Sequence, residues 1–360
     1  MSLYGYNGGA EKRKVLLVEF NNWHDECIFP MYSFLISAGC KVSLVLNEKL
    51  KKRIPLSVYE RAESITFLPF HSLWCSIDSF CKIRRMLGSE GFTHLFLNTA
   101  QGSVAWKFFL MPVPRRIKVA GIIHNVAKLK SSFGQKFITR RIDKYILLSD
   151  ILMGAYKSVC NKPVSVLYPI DYPDYGKVGI EKPAGEVWIA VPGEISLKRR
   201  DYFSIINMNA KYDRRVKFLF LCNRNRADGC EVMDCVRKCG VEQNVVSFDG
   251  YVPNELFYSY LDLCDYVMPL VHPSKDVYAK YLTEKISGTY NLAFAYRKPM
   301  LCPNEMSAID DFYDTSLFYD ETDICAFINT LPLAPVANRF YRNDKWSAES
   351  RYRYLEQSLL

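Results

Sequence analysis

The sequence contains no long apolar run and no apolar leader. No stretch approaches the ~18 consecutive apolar residues that a membrane-spanning helix requires, so we expect no such helix. The N-terminal stretch MSLYGYNGGAEKRK is polar and lacks the apolar core of a secretory signal. These absences predict a cytoplasmic protein that lies in solution or on a membrane surface.

Closely spaced cysteine pairs are also missing. The chain has 12 cysteines but no C-x-x-C motif. The densest group, Cys222, Cys230, Cys235 and Cys239, has gaps of 8, 5 and 4 residues, which fit no common zinc pattern. We therefore expect free thiols in a reducing compartment and no metal site.

The glycine motifs of the usual dinucleotide and ATP enzymes are absent as well. Gly5, Gly8 and Gly9 precede the first predicted strand, so they cannot form the phosphate-binding turn that follows such a strand. The sequence has no P-loop either. NAD and ATP enzymes of the usual kind are disfavoured, and we expect no cofactor.

Positive charge is concentrated in the first half of the chain. The net charge is +9, of which residues 1–170 contribute +13 (24 basic, 11 acidic) and residues 171–360 contribute −4 (23 basic, 27 acidic). Residues 101–142 hold nine basic side chains and no acidic one. This asymmetry favours an anionic partner for the first half. A basic surface that only faces solvent would give the same charge pattern.

The chain is longer than the roughly 250–300 residues of a single core, and its pattern repeats. Short β-branched runs alternate with helical segments on both sides of a Pro- and Gly-containing stretch, which predicts two doubly wound parallel-sheet α/β domains facing a cleft. In the second half, a helix is predicted over 198–210 and a strand over 266–270. The predicted divisions are an N-terminal domain (1–172), a linker (173–185), a C-terminal domain (186–345) and a C-terminal helix crossing back to the first domain (346–360).

An ordered set of motifs lies in the second half. Phe248-Asp249-Gly250-Tyr251-Val252-Pro253 precedes a helix, Asp265 to Pro269 follows it, and Lys298-Pro299 comes later. This order resembles the donor-binding domain of GT-B glycosyltransferases, in particular the retaining family 4 (group 1), over about residues 186–305. The resemblance implies a metal-independent transferase (hexosyltransferase type) with a nucleoside-diphosphate sugar as donor.

The resemblance assigns roles to particular residues. In the family's E-x7-E motif, the first glutamate falls on Glu284, which would contact the donor sugar, while Leu292 stands where the second is expected. Gly193 and Arg199 match the family's glycine and lysine near the donor diphosphate, with Glu194 in place of an arginine. Lys198 or Arg200 could share the role of Arg199. Nucleotide binding is assigned to the following residues: Asn223, Arg224, Gly250, Tyr251 and Val252.

A second diphosphate element is Ser287-Gly288-Thr289, which opens a predicted helix. Glycine permits close approach of the backbone, and free N–H groups with the helix dipole attract phosphate. An ordinary N-cap at Ser287 or Thr289 is the alternative, and the two interpretations are compatible.

Two histidines are candidates for the reaction centre. His24 lies with Asp25 in the loop after the first strand, where some inverting GT-B enzymes hold a base. His124 ends another strand, where retaining members often hold a histidine against the donor sugar. The two positions favour opposite stereochemistry, and each histidine could instead be structural.

Apolar and basic residues combine near position 110. Trp106, Lys107, Arg115 and Arg116 would suit an anionic membrane face or a lipid-linked acceptor, or else belong to a core helix. Nucleic acid is not expected, because no groove-reading motif is present.

These observations favour a glycosyltransferase that moves a sugar to a glycan or lipid-linked acceptor in surface polysaccharide synthesis, in the cytoplasm or at the inner membrane face. The alternatives are a GT-B-fold sugar-nucleotide epimerase and a non-catalytic nucleotide-sugar-binding protein. Substitution of the second glutamate by Leu292 and the presence of Glu194 favour the last.

Overall fold

The computed structural model describes residues 13–333, 335 and 339–347. Within this part, the chain forms two compact units, the first built from 13–147 and 160–167 and the second from 148–159 and from 168 onward. The domain boundaries predicted from the sequence stay predictions. The predicted C-terminal helix lies outside the described residues, apart from Trp346, which ends the short 3-10 turn Asp344–Trp346, and Ser347.

The first unit contains a seven-stranded parallel sheet in the order β3-β2-β1-β4-β5-β6-β7. Five of the six residues of KVLLVE in the first strand are buried, as expected for a parallel strand covered on both faces. The strands are β1 (Lys14–Glu19), β2 (Lys41–Asn47), β3 (Ser64–Leu68), β4 (His94–Leu97), β5 (Lys118–Ile122), β6 (Lys144–Leu147) and β7 (Val164–Val166).

The helices of this unit connect the parallel strands. The longest of them starts at Ser72, whose hydroxyl caps it by accepting a hydrogen bond from the Cys75 N–H at 3.2 Å. The helices are α1 (Ile28–Ser37), α2 (Leu73–Ser89), α3 (Ser103–Phe108), α4 (Lys128–Ser131) and α5 (Phe133–Arg141). Sequence analysis missed α5.

The second unit contains a six-stranded parallel sheet in the order β10-β9-β8-β11-β12-β13. All six residues of its central first strand are buried. The strands are β8 (Val187–Pro192), β9 (Val216–Asn223), β10 (Val245–Phe248), β11 (Tyr266–Val267), β12 (Met300–Pro303) and β13 (Ser316–Tyr319).

Seven helices are described in the second unit. Gly240 ends one of them in the left-handed conformation (φ +68°), the stop that its sequence predicts. The helices are α6 (Met153–Lys157), α7 (Ala227–Cys239), α8 (Asn254–Leu263), α9 (Tyr278–Thr283), α10 (Gly288–Tyr296), α11 (Asp310–Tyr313) and α12 (Ile324–Asn329). Sequence analysis missed α9.

The prediction of a helix over 198–210 is wrong. Only the 3-10 turn Tyr202–Ser204 forms there. The Asp201 N–H donates to the Leu270 carbonyl at 2.9 Å, and the Asn207 side chain accepts from the Asn209 N–H at 2.9 Å. These bonds tie the segment to a neighbouring strand end and to local turns, which compete with helical hydrogen bonding.

The strand predicted over 266–270 is too long. β11 ends at Val267, because Pro269 has no N–H to pair and Leu270 takes a left-handed backbone (φ +54°). The predicted fold class, two doubly wound parallel-sheet α/β domains, is otherwise confirmed. None of the described helices has the length and apolarity that crossing a bilayer requires.

Candidate functional site

A cavity of about 380 Å³ lies in the second unit, where parallel strands end. Gly193 follows β8, Asn223 ends β9, and Tyr251 and Val252 follow β10, so the cavity sits at the carboxyl edge of the sheet. Ligands of open α/β sheets bind at this edge. The lining also includes Arg226, Asn254, Phe257 and Tyr258.

Three of the residues predicted to bind nucleotide line this cavity: Asn223, Tyr251 and Val252. Tyr251 is 78% exposed, and its hydroxyl donates to the Asn254 side chain at 3.1 Å, which leaves an aromatic ring at the rim. Arg224 does not line the cavity. Its guanidinium pairs with Asp249 at 2.7 Å. Gly250 lies in the same turn, between Asp249 and Tyr251.

Gly193 has a backbone conformation that favours glycine, and it lies close to Arg200. The glycine has φ +95°, and a Cβ there would lie 2.9 Å from Arg200 Nη2. The same Nη2 donates to Thr289 Oγ1 at 2.9 Å, and that hydroxyl in turn donates to the Pro192 carbonyl at 3.3 Å. Arg200 Nη1 is buried without a hydrogen-bond partner in the described part of the chain. Arg200 therefore links the end of β8 to the start of α10.

The start of α10 is open. Gly288 is exposed, and a Cβ there would meet nothing within 4 Å. Ser287, the N-cap, makes no side-chain capping bond, and the Gly288 and Thr289 N–H groups donate to no protein group among the described residues. Free N–H groups at the positive end of a helix, here one of nine residues, are groups that attract anions.

Positive side chains gather at this helix start. Burial and then the charge of Arg199 lower the pKa of Lys285, which lies three residues before Gly288. Arg200 bonds the first turn directly. Cations at a helix N-terminus oppose the helix dipole, so the arrangement favours an anion among them. Arg199 and Lys198 are both exposed.

Two other predicted residues have different surroundings. Glu284 caps the end of α9, and its N–H donates to the Lys280 carbonyl at 2.9 Å. Its carboxylate forms no hydrogen bond or ion pair within the described chain. Glu194, which replaces the family's arginine, pairs with Arg226 at the cavity.

In the first unit, a carboxyl group is buried at the end of β1. Glu19 is 0% exposed, and its two oxygens accept four hydrogen bonds. The donors are Asn21 N at 2.7 Å, Asn21 Nδ2 at 3.0 Å, Asn98 Nδ2 at 2.7 Å and Thr99 Oγ1 at 2.5 Å. Burial outweighs these bonds and raises the pKa of Glu19 from 4.5 to about 7.

The two candidate histidines stack on each other. The rings of His24 and His124 have centroids 3.7 Å apart and an interplanar angle of 12°. His124 Nε2 donates to the Asn98 carbonyl at 2.8 Å, and Thr99 Oγ1 lies 3.4 Å from the same nitrogen. Burial and then the charge of His24 lower the pKa of His124 to about 3, so this ring is neutral at physiological pH.

His24 is oriented by Glu26. Its Nδ1 lies 3.3 Å from Glu26 Oε1. Asp25, which sequence analysis placed with His24, pairs with Arg53 instead. The backbone of His24 is left-handed (φ +67°), and Asn98 Nδ2 holds its carbonyl at 2.9 Å. Burial opposes the charge on Glu26, but the hydrogen bond to His24 and the nearby histidine charges together outweigh it and lower the pKa of this carboxyl.

The predicted acceptor face is not uniformly exposed. Trp106 packs against α5, since a Cβ on Gly134 would lie 2.4 Å from its ring. Arg116 donates to the Leu87 and Gly88 carbonyls at 2.8 and 3.0 Å. Lys107 is half-buried and Arg115 is exposed.

Sequence analysis missed Glu19, Asn98, Thr99 and Glu26, and placed Arg200 second to Arg199. One signal was available for Glu19: it is the single charged residue within the apolar run after Lys14. No cluster of three or more His, Cys, Asp or Glu side chains in the described ranges is arranged to hold a metal ion.

No protein family model and no curated protein matches the chain. Its structure is similar to a glycosyltransferase from Rickettsia africae (TM-score 0.60, 13% identity, covering 97% of this chain and 94% of that one). It is also similar to HepE from Anabaena in complex with UDP and glucose (TM-score 0.60, 13% identity, 96% and 93% covered). A UDP-GlcNAc 2-epimerase from Methanocaldococcus jannaschii matches at TM-score 0.61 and 9% identity, with 96% and 99% covered. At these identities the likeness establishes the fold, which is of the GT-B class.

We predict that Glu19→Gln changes how stability depends on pH. Between pH 4.5 and about 7, the Glu19 carboxyl is protonated in the folded chain and ionised in the unfolded chain. The wild type therefore loses stability relative to the variant as pH rises through this window. The loss should be on the order of 3 kcal/mol at most, from about 1.4 kcal/mol per pKa unit. Urea unfolding at pH 5, 6, 7 and 8 measures it, with exposed Glu242→Gln as the control. Parallel curves for wild type and Glu19→Gln would refute the assignment.

Proposed function

We propose that the protein is a glycosyltransferase that moves a sugar from a nucleoside-diphosphate sugar to a glycan or lipid-linked acceptor. The observation that carries this proposal is the open start of α10, where Arg200 bonds Thr289 beside free N–H groups. An anion-binding turn next to a cavity of about 380 Å³ suits a diphosphate joined to a nucleoside.

The diphosphate would lie against Ser287, Gly288 and Thr289, with Arg200 and Arg199 compensating its charge. Nη2 of Arg200 bonds Thr289 Oγ1 at 2.9 Å, which fixes the guanidinium beside the first turn of α10. As the glycosidic bond breaks, charge accumulates on the leaving diphosphate, and fixed guanidinium groups stabilise it. This supports a metal-independent reaction, in which protein cations take the role of a divalent ion.

The nucleoside would occupy the cavity, with Tyr251 against the base and Asn223 and Val252 below it. HepE, which shares the fold, was solved with UDP and glucose. UDP is therefore the first nucleotide to test, and a hexose the first sugar. Glu284, whose carboxylate has no partner within the described chain, would contact that sugar.

His24 would act as the general base on the acceptor hydroxyl. Glu26 accepts from Nδ1, which leaves Nε2 with a lone pair for the incoming proton. His124 is neutral and fixed by the Asn98 carbonyl, so it supports the imidazole as a flat apolar surface without competing for the proton. A positioned base favours single displacement, and we propose inversion at the anomeric carbon.

An epimerase is the second candidate, because the Methanocaldococcus enzyme matches with a similar TM-score. An epimerase acts on the nucleotide sugar without an acceptor. Incubation with the donor alone separates the two: an epimerase yields a changed nucleotide sugar, whereas a glycosyltransferase yields at most free nucleotide and sugar.

We also propose peripheral contact of the first unit with anionic membrane, as a glycan assembled on a lipid carrier, such as a surface polysaccharide, would require. Arg115, Lys136 and Arg140 are exposed, and Arg141 Nη2 ties the end of α5 to the Val113 carbonyl at 2.6 Å. This contact brings the basic face of α5 beside the segment that carries Arg115. Each such residue contributes about 1 kcal/mol to the free energy of binding when it lies near acidic headgroups.

The donor site can be tested with Arg200→Ala. We expect affinity for UDP, or for whichever diphosphate raises the melting temperature, to fall about 10- to 100-fold, while affinity for the matching nucleoside stays unchanged. Arg237→Ala, which removes an exposed cation of the same unit, is the control. Calorimetric titration measures both ligands. Undiminished diphosphate affinity in folded Arg200→Ala would rule out this site.

His24→Asn should lower kcat by about 10²- to 10⁴-fold with little change in donor affinity, because it removes a proton acceptor and not a donor contact. Asparagine tolerates the left-handed backbone at this position. His94→Asn, at the opposite end of the sheet, is the control. Nucleotide release measures the rate, and NMR of the product gives the anomeric configuration. A wild-type rate in His24→Asn, or retention of configuration, would contradict the proposed base.

Changing Arg115, Lys136 and Arg140 to Gln should weaken partitioning onto phosphatidylglycerol vesicles by about 10- to 100-fold. The charge-matched control changes Lys211, Arg237 and Lys238, which are exposed on the second unit. Neutral phosphatidylcholine vesicles should bind neither variant nor wild type. Equal partitioning of both triple variants would show that net charge, and not this face, governs any binding.

A further inference from the structure

A carboxylate, an imidazole and a thiol form a chain in the first unit, apart from the site described above. His71 Nδ1 lies 3.1 Å from Glu48 Oε1, and Cys75 Sγ lies 3.6 Å from His71 Nε2. Glu48 follows β2, His71 follows β3, and Cys75 lies in the first turn of α2. Because β2 and β3 pair in parallel, their carboxyl ends bring the three groups to one edge of the sheet.

The order of these groups is that of an activated nucleophile. The carboxylate accepts from Nδ1 and so fixes the imidazole tautomer in which Nε2 carries the lone pair. That nitrogen faces the thiol and can take its proton, which leaves a thiolate beside an imidazolium.

The position of Cys75 in the helix acts in the same direction. It is the third residue of the seventeen-residue helix α2, and its N–H is bonded to the Ser72 hydroxyl at 3.2 Å. The positive end of a helix dipole stabilises a thiolate.

The thiol is also reachable. Cys75 is partly exposed, as are its partners, with 48% of the His71 side chain and 44% of the Glu48 side chain accessible. Trp74, beside it, is 80% exposed. Solvent therefore reaches a nucleophile that already has its base and its orienting carboxylate.

We propose that Cys75 is a reactive thiol that undergoes exchange with small-molecule disulfides, with His71 as its base and Glu48 orienting the histidine. The Cys75 thiolate attacks one sulfur of the disulfide. A bond forms between Cys75 Sγ and that sulfur as the disulfide bond breaks, and the departing thiolate takes the proton held by His71. The product is a mixed disulfide on Cys75 and one free thiol, and a second thiol reverses the step.

Other cysteines of the same chain serve as internal references. Cys230 is exposed on α7, and its thiol donates to the Arg224 carbonyl at 3.9 Å. Cys230 is more accessible than Cys75, and its thiol has no hydrogen bond to an imidazole among the described residues. A faster reaction at Cys75 therefore cannot be explained by access, and the His71 and Glu48 variants test the remaining cause.

The test treats the folded protein with glutathione disulfide and with 4,4′-dithiodipyridine, and follows each cysteine by peptide mass spectrometry. We expect Cys75 to react at least 10-fold faster than Cys230, with the largest ratio near pH 6.5, where an unassisted thiol is protonated. His71→Asn should bring Cys75 down to the rate of Cys230, and Glu48→Gln should give an intermediate rate.

Equal rates for Cys75 and Cys230 in the wild type would overturn the proposal, as would an unchanged Cys75 rate in His71→Asn. Should His71→Asn fail to fold, Glu48→Gln and the wild-type ratio between pH 6 and 9 still decide it, since a ratio independent of pH contradicts a base. The readout does not involve sugar transfer, so it stands or falls separately from the proposed function.

Discussion

Parallel pairing of the described strands is the constraint on which the candidate sites depend. In a parallel sheet, all carboxyl ends reach the same edge, and the loops that leave them meet there. Glu19, Asn98 and His124 lie at this edge of the sheet in the first unit. Gly193, Asn223 and Tyr251 lie at the corresponding edge of the separate sheet in the second unit. The same rule places Glu48 and His71 together. The buried strands supply the rigid frame, and the loops supply the chemistry.

The carboxyl edges of the two sheets differ in the charges that they carry. In the second unit, Arg200, Arg199 and Lys285 accumulate positive charge at a helix start that is already positive, which costs free energy until an anion arrives. In the first unit, Glu19 is buried, and its hydrogen bonds within the described chain come from amide and hydroxyl donors, with the charge of His24 a minor influence on its pKa. One edge therefore concentrates positive charge, and the other holds buried polar groups in fixed orientations.

The strands could be predicted from the sequence because runs such as KVLLVE are apolar on both faces, which only a covered parallel strand requires. The absence of a helix over 198–210 could not be predicted from the local sequence, because the hydrogen bond from the Asp201 N–H to the Leu270 carbonyl joins residues far apart in the chain. The partners of Glu19 are 79 and 80 residues away, which no local pattern reveals. Whether Asp25 or Glu26 faces His24 depends on the left-handed backbone at His24. Whether Arg199 or Arg200 reaches Thr289 depends on how the chain turns at Gly193.

The opposite pKa shifts of Glu19 and His124 have a consequence for folding itself. Between about pH 4.5 and 6.5, the unfolded chain carries an imidazolium and a carboxylate, whereas the folded chain carries two neutral groups. Folding thus amounts to an internal proton transfer from His124 to Glu19, with no net uptake from solvent by this pair. Neither group enters the core as an ion, so the chain avoids the Born cost of desolvating two charges. The heat of folding contributed by the pair should accordingly be insensitive to the ionisation enthalpy of the buffer.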